Sequence, residues 1–116
     1  LASMFKDLMG ASGEMDSTMF LQDLRDHFYP QPGFHAVYKF NLPESKQPLI
    51  VKVDHTEMEC FYGDSDTFDV EMRLSSRIMN EIVQGRMTFQ GAFMAGDVKM
   101  KGDFKALRTL DLLYKF

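Results

Sequence analysis

Cysteine occurs once in these 116 residues, at Cys60. An internal disulfide is therefore excluded, the logic of small disulfide-stapled secreted scaffolds does not apply, and a reducing, cytoplasmic setting is expected. No apolar run approaches the ~20 residues needed to cross a bilayer, so a spanning helix is not expected. The opening Leu-Ala-Ser-Met-Phe-Lys-Asp lacks a basic region followed by an apolar core, so no signal peptide is expected. A basic excess is missing as well. Thirteen Lys and Arg stand against seventeen Asp and Glu, for a formal charge of −4. That balance argues against nucleic acid as a partner, because phosphate neutralisation needs a basic face. What is present is an ordinary globular mixture, 45% apolar and 26% charged, long enough for one domain over residues 1–116 with one hydrophobic core.

Catalytic and metal-binding patterns are also scarce. In His55-Thr56-Glu57-Met58-Glu59 three potential ligands share one strand face by period-two spacing, but the same letters describe a solvated hairpin, and no fourth ligand is indicated. Asp64, Asp66 and Asp69 superficially resemble a calcium loop without its sixth-position glycine or terminal glutamate, so a turn is expected. Gly91, Gly96 and Gly102 lack the Gly-Lys-Ser/Thr ending of a phosphate loop and read as turn glycines. Cys60 lies between Glu59 and Phe61, with no basic neighbour in sequence to make it nucleophilic. No catalytic set, metal site or cofactor is expected.

Periodicity supplies the elements. Met4, Phe5, Leu8 and Met9 form one face of a short opening helix, and Phe20, Leu24 and Phe28 that of a second beginning at Asp16 or Ser17. Strands are expected at 34–42, 49–54, 58–62 and 68–74. In the last, Phe68, Val70, Met72 and Leu74 alternate with Asp69, Glu71 and Arg73, so one face is buried. Ser75 and Ser76 then cap a helix carrying Ile78, Met79, Ile82 and Val83, ended by Gly85. Residues 88–95 are mixed. Val98 and Met100 alternate with Lys99 and Lys101 in a short strand, and Asp103 caps a final helix with Phe104, Leu107, Leu110, Leu113 and Tyr114. This order predicts an α+β fold with a largely antiparallel sheet covered by helices.

Ten methionines and eleven phenylalanines are many for this length, and Met72, Met79, Met87, Met94 and Met100 crowd one quarter of the chain with Phe89, Phe93 and Phe104. Flexible, polarisable methionines suit a wall that repacks around ligands, and they equally suit an ordinary filled core. Charge is uneven too. Residues 1–76 hold six basic and thirteen acidic side chains, and residues 77–116 hold seven and four. The basic C-terminal third suits transient contact with an anionic membrane surface.

The stretch Ile78-Met79-Asn80-Glu81-Ile82-Val83-Gln84-Gly85-Arg86-Met87 and the following GAFMAGDVKMKGDFKALRTL resemble the sterol carrier protein type 2 family, most clearly over residues 66–113. The chain departs from peroxisomal members in ending Leu-Tyr-Lys-Phe, without a Ser-Lys-Leu type address. The resemblance implies one five-stranded, mostly antiparallel sheet with helices on one face, enclosing an apolar tunnel. It implies as partner a lipid, whether fatty acyl chain, acyl thioester or sterol-like molecule. Lipid-lining positions would be Met72, Ile78, Met79, Ile82, Phe89, Phe93, Met94, Phe104, Leu107 and Leu110, with Gln90 near a head group. The expected function is non-catalytic lipid binding and intracellular transfer. The alternatives are an accessory, substrate-presenting domain of a larger lipid-modifying enzyme and a filled-core dimerisation module.

Overall fold

A computed structural model describes Asp16 and residues 18–116; the opening helix expected around Met4 to Met9 lies outside the described residues. The elements are α1 (Leu21–Asp26), β1 (His35–Asn41), β2 (Leu49–Asp54), β3 (Glu57–Tyr62), β4 (Val70–Arg73), α2 (Ser76–Val83), α3 (Phe89–Met94), β5 (Lys99–Gly102) and α4 (Phe104–Leu113). The five strands form one sheet in the order β3-β2-β1-β4-β5. Three of its junctions are antiparallel, and the central β1–β4 pair is parallel.

Alternation divides the sheet into two faces. Ala36, Tyr38 and Phe40 on β1, Leu49, Val51 and Val53 on β2, Cys60 on β3, and Val70 and Met72 on β4 are buried in one core with the apolar residues of the helices. Ile50, fully buried yet outside that core, is the register partner of Lys39 and Phe61 on the opposite face. There Lys39 reaches Asp64 at 3.2 Å, and its Nζ stands 5.5 Å from the Phe68 ring centroid. The described helices therefore cover one face, and lysine stems and aromatic edges shield the other.

Several junctions are set by single residues. Asp69 joins β1 to β4: its carboxylate accepts from Val37 N at 2.7 Å, and its N–H donates to Val37 O at 2.8 Å. Gly102 has φ +119°, and a Cβ there would lie 2.2 Å from Asp69 O, so β5 can close on β4 only through glycine. Ser75 caps α2 by accepting from Ile78 N, and Asp103 caps α4 by accepting from Lys105 N.

Four details differ from the periodicity reading. Phe20 adopts φ 74°, so the second helix begins only at Leu21, and Phe28 lies beyond it in an antiparallel bridge to Tyr114. Phe68 is 38% exposed under Lys39, because β4 starts two residues later than the alternation suggests. Residues 89–94, read as mixed, form α3. Gly91, read as a turn glycine, sits inside it and donates to the capping hydroxyl of Thr88.

Candidate functional site

The apolar layer between the sheet and α2–α4 is the candidate site. Met72 on β4, Ile78, Met79 and Ile82 on α2, Phe89 on α3, and Leu107 and Leu110 on α4 all enter it and are at most 5% exposed. Spacing places them there. Ile78, Met79 and Ile82 fall on one side of α2, and Leu107 and Leu110 on one side of α4. Phe89 meets Phe40 with ring centroids 5.8 Å apart, tying α3 to the centre of the sheet.

The other four sequence-predicted residues lie at the edge of this layer. Phe93 is half-buried against the core and meets Phe104 edge-on at 5.5 Å. Phe104 is 45% exposed and Met94 75% exposed, so α3 and the start of α4 present an apolar patch to solvent. The Arg108 guanidinium lies 6.0 Å from the Phe104 ring centroid, and Lys105 is exposed on the same helix. Gln90 is half-buried at the first turn of α3, with no side-chain hydrogen bond to another described residue.

Asp111, which periodicity does not single out, fixes α3 on α4. Its two carboxylate oxygens accept from Phe89 N and Gln90 N, each at 2.9 Å. These are first-turn amides that have no partner within the helix. The Thr88-Phe89-Gln90-Gly91 string carries half of this signal, since Thr88 is a good cap. The acceptor twenty-odd residues away is invisible to spacing.

Polar groups inside the layer are few. Tyr38 is fully buried, and its hydroxyl donates to Ala106 O at 2.6 Å. Tyr62 donates to Met19 O at 2.8 Å, and burial, reinforced by Asp16 and Cys60, pushes its phenol up to about 12. Burial also raises the Cys60 thiol, with Arg25 opposing and Glu59 adding, and its Sγ lies 3.7 Å from Leu21 O. A raised, buried thiol is a poor nucleophile. Tyr114 is 4% exposed, and its hydroxyl has no hydrogen-bond partner among the described residues.

Three surface clefts adjoin this scaffold. One of 340 Å³ lies by Asn41, Pro43, Lys46 and Arg73, and one of 260 Å³ by Asn41, Glu71, Arg73 and Lys101. The third, of 190 Å³, is bounded by Ile82, Met87, Asp111, Tyr114 and Phe116 and reaches the edge of the apolar layer. None of these three is the tunnel that the resemblance implies, and such a tunnel is not shown. His55, read as one of three residues on a strand face, instead occupies the β2–β3 turn at φ 57°, 3.5 Å from Asp54.

The model of a family described as the SCP-2 sterol transfer family matches residues 32–115. No curated protein matches the chain. Among solved structures, a double mutant of the sec-alkyl sulfatase PisA1 of Pseudomonas sp. is similar with a TM-score of 0.74 at 19% identity, over 88% of this chain and 17% of that one. Apo sterol carrier protein 2 from Yarrowia lipolytica gives 0.53 at 19% identity, over 84% and 74%. Palmitated SCP2L2 from Aedes aegypti gives 0.54 at 18%, over 69% and 73%. The chain thus spans less than a fifth of the sulfatase. At these identities the likeness establishes the fold.

Proposed function

We propose a function from one premise: the chain belongs to the SCP-2 sterol transfer family. The reading is a non-catalytic domain, taken as one unit over residues 1–116, that binds a lipid in the apolar layer beneath α2–α4 and transfers it between membranes in the cytoplasm. The match of residues 32–115 to the family model carries this reading. The site's chemistry supports it. Seven of the predicted lining residues share one core and Phe93 packs against it, while the exposed Phe104 and Met94 are read as its entrance. Met72 and Met79 are unbranched and repack at low cost, which suits a layer that must open to admit a chain. Burying sixteen methylene-sized groups at about 0.8 kcal/mol each gains roughly 13 kcal/mol before ordering and association costs, enough for micromolar binding or tighter. A fatty acyl chain is the simplest ligand, and a relative of this fold was solved in palmitated form.

Membrane contact is part of the same reading. The exposed Phe104 and Met94 are accompanied on α4 by Lys105 and Arg108, a pairing of apolar and cationic side chains suited to an anionic lipid surface. No helix among the described residues is long and apolar enough to span a bilayer.

The test is uptake of palmitic acid by the wild type and by a Phe104→Ser, Met94→Ser double variant. Met94 is 75% exposed, so its change should cost no more than about 0.5 kcal/mol, while Phe104, half-covered and edge-on to Phe93, should cost about 0.5–1.5 kcal/mol. Uptake by the wild type, slowed several-fold in the variant, is expected. A wild type that takes up no palmitate contradicts the reading.

A second reading follows from the sulfatase likeness. This fold occurs as a small segment of that larger chain, so the domain also suits fusion to a catalytic unit to which it presents an apolar substrate. An intact cellular product several times heavier than 13.4 kDa would favour it.

A further inference from the structure

The two other buried or half-buried phenols satisfy their hydroxyls locally, Tyr38 on Ala106 O and Tyr62 on Met19 O. Tyr114 does not, although it is 4% exposed. An orphaned donor in an apolar surrounding is costly, and native structures keep few of them. Nor is the side chain free to swing out. Its ring stacks on Phe116 at 5.6 Å with an interplanar angle of 1°, and it packs against Phe28 at 5.9 Å. Its backbone is bridged to Phe28, and its N–H donates to Leu110 O. Tyr114 is the extended C-cap of α4, one residue beyond Leu113, and is buried in the same core as Leu107 and Leu110, so it stands at one end of the proposed lipid layer. Tyr114 also lines the 190 Å³ cleft shared with Ile82, Met87 and Lys115.

We propose that the Tyr114 hydroxyl is the polar contact for a lipid bound in this layer, donating its proton to the single hydroxyl or carboxyl oxygen of a long-chain alcohol, fatty acid or sterol-like ligand. Burial, with Cys60 and Tyr38 adding, holds the phenol in its protonated, donating form. The inference rests on the lipid-binding reading above and adds to it a preference for ligands with one oxygen function over pure hydrocarbon.

The test compares delipidated wild type with Tyr114→Phe, which keeps the ring and removes only the hydroxyl. Two probes of equal chain length are used, hexadecanol and hexadecane. Tyr114→Phe should lose about three- to tenfold affinity for hexadecanol, lose none for hexadecane, and melt above the wild type when empty. Wild type that takes up neither probe ends the lipid reading and this inference with it. Uptake of both by wild type, with full hexadecanol affinity in Tyr114→Phe, overturns the inference while the lipid reading stands. A lowered melting temperature of empty Tyr114→Phe also overturns it, because the hydroxyl would then already have a partner.

Discussion

Replacing Asp111 by alanine tests how α3, and with it Phe89, Phe93 and Met94, is held on α4. The carboxylate accepts two first-turn amides at 2.9 Å, and the two losses are unequal. Phe89 is fully buried, so its N–H is stranded, at about 1–3 kcal/mol. Gln90 is half-buried, so water can replace its acceptor at roughly 0.5 kcal/mol. Removing a negative charge from a helix N-terminus adds about 0.3–1 kcal/mol. Thr88 still caps Gly91, which limits fraying. The sum is about 2–4 kcal/mol, a drop in Tm of roughly 8–16 °C for a chain of this size. Urea unfolding followed by circular dichroism measures it, and Asp111→Asn, which keeps one acceptor oxygen, should lose about half as much. An alanine variant within about 0.5 kcal/mol of wild type would refute the claim that this contact anchors α3.

Three further outcomes are expected. Gly102→Ala should cost more than about 2 kcal/mol, since its Cβ would meet Asp69 O at 2.2 Å and φ is +119°; a urea midpoint unchanged from wild type would contradict the close approach of β4 and β5. Lys99→Glu should stabilise by roughly 0.2–1 kcal/mol, because Lys99 stands directly opposite Arg73 across the β4–β5 ladder, and the gain should shrink in high salt; a salt-independent loss would refute it. Alkali should unfold the protein cooperatively. Tyr62 is raised to about 12, and Tyr38, Tyr114 and Cys60 are raised mainly by burial, so the folded state keeps protons that the unfolded chain releases. Stability is then full below the ordinary thiol and phenol values and falls as pH rises from about 9 toward 12. A urea midpoint that stays flat across that range would show that these groups are not protected.

The strands and the two longer helices were legible because their signals are local. Serine and aspartate caps, period-two alternation at Val70 to Arg73 and helical spacing at Ile78 to Val83 reappear with small shifts at the ends. The parallel β1–β4 junction was not legible, because it joins strands separated by a whole hairpin and depends on Asp69 answering Val37. Phe20 escaped for another reason: hydrophobic spacing says nothing about a residue held at φ 74°. At the candidate site, periodicity marked Leu107, Leu110 and Phe104 alike as one apolar helix face, and only the structure separates the buried leucines from the exposed Phe104. The resemblance of residues 66–113 pointed to the family that matches residues 32–115, but neither Asp111 nor the orphaned Tyr114 hydroxyl carries a sequence signature.

Native mass spectrometry of the gently purified protein decides whether the layer beneath α2–α4 carries lipid. A discrete adduct on the 13.4 kDa chain is expected, one that extracts into organic solvent as lipid or forms on incubation with palmitic acid. A bare mass, unchanged after incubation with fatty acids and acyl thioesters, would contradict it and leave a filled core whose exposed Phe104 and Met94 serve another purpose.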